Sequence, residues 1–78
     1  MDAIESTIRA ARDRLAPTPD ELAARPLNHR WRPGLSTAEF ARRLDPVRPP
    51  HPHTVQHWES GRLAVPAWVL RRLQEITP

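Results

Sequence analysis

Apolar residues recur every three to four positions through most of the chain, and prolines cut that rhythm into short pieces. Over residues 2–16, Ile4, Ile8, Ala11 and Leu15 fall at helical spacing, with arginines and acids on the other face, which predicts an amphipathic helix. Asp2 and Glu5 have capping-box spacing at its start. Pro17-Thr18-Pro19 interrupts the pattern, and Thr18 begins a second start signal: Pro19 suits a first helical position and Glu21 follows Thr18 by three. This second helix is expected to be short. Pro26 removes a hydrogen bond and clashes one turn back, at a cost of ~3 kcal/mol. Within residues 27–34, His29, Arg30, Trp31 and Arg32 fit a helical turn that Pro33-Gly34 ends.

The signals sharpen from Leu35 onward. Ser36 with Glu39 again has capping-box spacing, and Phe40, Ala41 and Leu44 form the apolar stripe of a helix over Thr37–Leu44, with Arg42 and Arg43 off it. Pro46, Pro49 and Pro50 force residues 45–50 into a loop. Pro52 starts the next helix, Pro52–Ser60, in which Val55 and Trp58 stand three apart, and Gly61 suits the left-handed position that ends it. Pro66 opens a last helix whose Val69, Leu70, Leu73 and Ile76 are expected to face inward. The reading is all-α: four to five short helices, with residues 1–17 as an N-terminal amphipathic helix, for dimerisation or extra packing, and residues 18–78 as the main domain.

Composition narrows the class. Seventy-eight residues support one small domain with little room for an enclosed enzyme pocket. The absence of cysteine removes disulfides and thiolate chemistry, no stretch approaches a membrane span of ~20 apolar residues, and the first residues lack a secretory pattern. A reduced, cytoplasmic setting is expected. Charge is uneven: residues 1–24 carry three arginines against five acids, residues 25–72 nine against three. The basic part is where a polyanion is expected to bind. With two glycines in the chain, no phosphate-cradling loop is present, and no nucleophile–base pair or paired-carboxylate motif stands out, so no enzyme, cofactor or small-molecule substrate is expected. His53 and His57 lie one helical turn apart, but without cysteine or an acid at ligand spacing they read as polar surface, not a metal site.

Two short helices joined by a turn, the second ending Trp58-Glu59-Ser60-Gly61-Arg62, form the constellation that carries function. In a helix-turn-helix the first helix needs a small residue where the second crosses it, and Ala41 is available; Val55 and Trp58 supply the inner face of the second. That leaves His53, Gln56, His57 and Ser60 outward, with His51 at the mouth. All are hydrogen-bonding groups on the helix that such motifs place in the major groove, where Gln pairs bidentately with adenine and His or Ser reads several base edges. Arg30, Arg32, Arg42, Arg43, Arg48 and Arg62 are candidates for phosphate contacts.

Residues 35–44, then Thr54-Val55-Gln56-His57-Trp58-Glu59-Ser60-Gly61-Arg62 and Val65-Pro66, resemble the Cro/C1-type, lambda-repressor-like helix-turn-helix family. The tail from Trp58 to Pro66 is most similar to short phage and bacterial regulators, including anti-CRISPR-associated repressors. The resemblance covers roughly residues 18–76. It implies sequence-specific binding of double-stranded DNA as a homodimer on an inverted repeat, and transcriptional repression. By position it places His51, Pro52, His53, Gln56, His57 and Ser60 at the groove, Thr37 where a phosphate-contacting Gln is common, and Arg62 where members touch phosphate. Two features depart from the pattern. The turn, residues 45–50, exceeds the usual length of about three or four, and the outward face of the second helix carries no Arg or Lys. The other reading these departures leave open is a helix-turn-helix module reused as a protein-binding adaptor or a phage-encoded inhibitor of a host protein. The dimer surface is expected on the last helix at Trp68 or on the N-terminal helix.

Overall fold

The computed structural model describes residues 3–77, with side chains from residue 7 onward. Among these residues there are five α-helices and no strand: α1 (Ala3–Arg14), α2 (Pro19–Ala24), α3 (Thr37–Leu44), α4 (Pro52–Ser60) and α5 (Ala67–Ile76), with a 3-10 turn at Leu27–His29. The all-α expectation and the order of helices stand. The Asp2–Glu5 box and the Ile4 side chain lie outside the described residues.

Ile8 and Ala11 of α1 and Leu15 just past its end join Leu35, Phe40, Ala41, Leu44, Val55, Trp58, Val69 and Leu73 in one buried cluster, with Val65, Leu70 and Ile76 against its edge. Helix α1 lies on α4, α4 on α3, and α3 on α5. The N-terminal helix therefore acts as a packing helix of the same core, and the expected division after residue 17 separates no two cores. Of its apolar stripe, Ile8, Ala11 and Leu15 are buried inside the chain.

Residues 17–34 run between α1 and α3 as an arm: neither α2 nor the 3-10 turn contributes a buried residue. Local chemistry shapes it as the sequence predicts. Thr18 Oγ1 accepts from the Glu21 N–H and the Glu21 carboxylate accepts from the Thr18 N–H, and α2 stops at Arg25, held extended before Pro26. The helical turn predicted at residues 29–32 begins earlier, at Leu27, and leaves Trp31 beyond its end.

What fastens the arm is polar. Arg25 grips Glu39 through two hydrogen bonds of 2.8 and 2.6 Å, and both side chains are nearly fully buried. The same guanidinium donates to the carbonyls of Arg32 and Gly34, at 3.1 and 2.8 Å. Arg25 holds the Glu39 carboxyl down at about 2, helped by the Ser36 N–H and partly opposed by burial. Glu39 is thus at once the capping-box acid of α3 and the anchor of the arm. Arg43 adds a second tether, 2.7 Å from Glu21 and 3.0 Å from the Ala16 carbonyl. Burial pushes the Glu21 carboxyl up, but hydrogen bonds from Thr18 and Arg43 outweigh it and leave the group below its ordinary value. Gly34, at φ 73°, closes the arm against α1, where a β-carbon would stand 2.9 Å from the Asp13 α-carbon. Only glycine fits there.

Candidate nucleic-acid interface

Helix α4 starts on an unusual cap. His51 Nδ1 accepts from the His53 N–H at 3.1 Å, which leaves Nε2 as the ring nitrogen not used in the cap. The His51 and His53 rings lie 4.9 Å apart and tilted. Pro52 occupies the first turn, where its missing N–H costs nothing. At the other end Gly61 adopts φ 79°, its N–H bonding Trp58 O while the Arg62 N–H bonds His57 O at 2.9 Å. This two-bond termination is the Schellman arrangement, and it fixes where Arg62 leaves the helix.

Val55 and Trp58 are buried as expected, with Phe40, Ala41 and Leu44 opposite them across α3. Trp58 also meets Trp68 edge-on, centroids 6.3 Å apart. The residues left outward at positions 53, 56, 57 and 60 make a single stripe of helical spacing. His53, Gln56 and Ser60 are exposed; His57 is half-buried, and its carbonyl already accepts from Arg62, Leu63 and the Ser60 hydroxyl. Glu59, the one charged residue of α4, turns away from the stripe to a bidentate pair with Arg12 of α1, at 2.7 and 3.1 Å. The partner of Glu59 thus comes from α1, outside the two motif helices. The outward face therefore carries no Asp, Glu, Arg or Lys.

The expected phosphate contacts divide. Arg42, Arg48 and Arg62 are exposed and Thr37 is half-exposed at the start of α3. Arg32 is exposed; Arg30 is half-buried with its Nε lacking an acceptor among the described residues. Arg43 does not join them. Its guanidinium is committed to Glu21 and Ala16, because α3 directs it toward the arm rather than away from the chain.

The long turn between α3 and α4 is organised. Asp45 Oδ1 accepts from the N–H groups of Val47 and Arg48, at 3.1 and 3.0 Å. From α5, Arg72 donates to the carbonyls of Leu44 and Arg43 and pairs with Glu75, so a cation closes the carboxyl end of α3. Arg12, Arg25 and Arg72, none singled out by spacing, tie α1, the arm and α5 to the two motif helices. Their signal in the sequence is weak, since each bridges residues 14 or more apart.

No helix among the described residues is long and apolar enough to cross a membrane. No family model matches the chain, and comparison with curated proteins and with solved structures returns no match either.

Proposed function

We propose that this chain is a sequence-specific, double-stranded-DNA-binding transcriptional regulator, a small homodimeric repressor acting on an inverted repeat. The observation that carries the reading is the α4 stripe. His53, Gln56 and Ser60 point away from the chain while Val55 and Trp58 seat the same helix from behind. Such a face supplies donors and acceptors for base edges and no charge to hold phosphates. Affinity then rests on Arg42, Arg48 and Arg62 around it. Two-fold pairing sets half-sites about one helical turn apart. Trp68, 38% exposed, and Leu63, 46% exposed, are the apolar groups on the α5 side available to such a pairing.

The test is a gel shift of the whole protein on DNA flanking its own gene. A specific complex that survives competitor DNA supports the regulator. If about 6–10 phosphates are neutralised, affinity falls by ~10³–10⁵ between 50 and 200 mM salt. A second reading, a protein-binding adaptor, is favoured by one observation, the lack of Arg or Lys on the outer face of α4. Failure to retain duplex DNA even at low salt selects it.

A further inference from the structure

Trp31 is 89% exposed, and Leu27, one turn before it, is 76% exposed. A large aromatic held in water gains nothing from the fold, yet the segment carrying it is firmly built. Arg25 binds the carbonyls on both sides of Pro33 while locked on buried Glu39, and Gly34 seats against the α1 backbone. The chain thus spends a buried ion pair on presenting an indole outward. On either side of it stand Arg30 and Arg32, neither in an ion pair among the described residues.

We propose that the Arg30-Trp31-Arg32 tip is a second DNA contact, resting on the DNA-binding reading of α4 and extending it beyond the helix-turn-helix. Arg30 and Arg32 hold phosphates beside the site read by α4, and Trp31 lies on an exposed sugar or base edge. Contact with a sugar tolerates any sequence, since every nucleotide carries one, and an apolar wedge flanked by arginines suits the minor groove. Position supports the assignment. A cleft of about 430 Å³ is lined by His29 and Arg32 of the arm, by the cap residue Ser36 and by Arg42 of α3, so Arg32 beside Trp31 shares one concavity with Arg42, an expected phosphate contact. Charge selects the occupant: Arg30 and Arg32 stand outside every ion pair among the described residues, and a duplex brings a regular array of anions to them.

The experiment uses the full chain with a fluorescein-labelled duplex of about 30 base pairs and mixed sequence at about 50 mM salt. Trp31→Ala is expected to weaken binding ~5- to 100-fold, with Trp31→Phe restoring most of it and thermal melting unchanged. The duplex is expected to shield the wild-type indole from acrylamide. Replacing both Arg30 and Arg32 by Gln reduces the salt slope by about two. Equal binding by Trp31→Ala and wild type overturns the tip assignment and leaves the α4 reading standing. Loss of a dimer in sedimentation, at unchanged affinity per protomer, also overturns it and gives the tip to self-association. Absence of any wild-type binding overturns both readings.

Discussion

The molecule contains two regions held by opposite means. The four helices α1, α3, α4 and α5 share one apolar cluster, whereas the arm between α1 and α3 buries no residue from its helical turns and is held by Arg25–Glu39 and Arg43–Glu21. The first arrangement is non-directional and tolerant; the second demands geometry, because a buried carboxylate without its guanidinium is costly. Apolar burial here builds the platform under α4, and ion pairing places what is added to its flank.

The largest effect should come from the platform. Trp58→Ala removes the indole beneath the α4 stripe and is expected to cost ~3–5 kcal/mol, enough to unfold a domain of this size. A urea titration followed by circular dichroism reads it, and a variant that stays folded with wild-type midpoint breaks the claim that α4 is held from behind. Next comes the arm's anchor. The Glu39 carboxyl is lowered from 4.5 to about 2, so its stabilisation is fully present above pH 4.5 and disappears as pH falls through 2. The loss across that window is about 3 kcal/mol, and Glu39→Gln should both lower the midpoint at neutral pH and flatten the acid limb. An unchanged acid limb in the variant shows that another carboxylate governs it.

Smaller effects belong to the surface. Gln56→Ala should leave the melting temperature alone and relax preference at one base pair by ~1–3 kcal/mol, read by competition with single-substituted duplexes. Retained preference puts base readout elsewhere on the helix. Neighbouring arginines of α3 then separate the two kinds of bonding most finely. Arg43→Ala should cost at most ~1 kcal/mol of stability without changing DNA affinity, while Arg42→Ala should weaken all sequences alike and leave stability untouched. Reversal of that pattern would move Arg43 back among the phosphate contacts.

The contrast also explains what could be read from the chain beforehand. Helix limits followed from prolines, from Thr18 and Ser36 with their partners three residues on, and from Gly61, because caps and breakers act within a few residues. Val55 and Trp58 were legible from their spacing, and with them the outward stripe. The tethers were not. Arg12 and Glu59 are 47 positions apart, and nothing local distinguishes Arg43, which turns inward, from Arg42 beside it. Trp31 escaped for a related reason: a tryptophan in a short irregular segment reads as buried or not only once the backbone around it is known.

The carboxyl end of α3 is closed by Arg72 of α5, the helix packed against it, and the proline-rich connector that follows is folded up on the Asp45 carboxylate. The relative orientation of the two motif helices is thereby uncoupled from the length of the link joining them. An unusually long connector need not splay the pair, because the contacts that close the end of α3 come from α5 and not from the link itself.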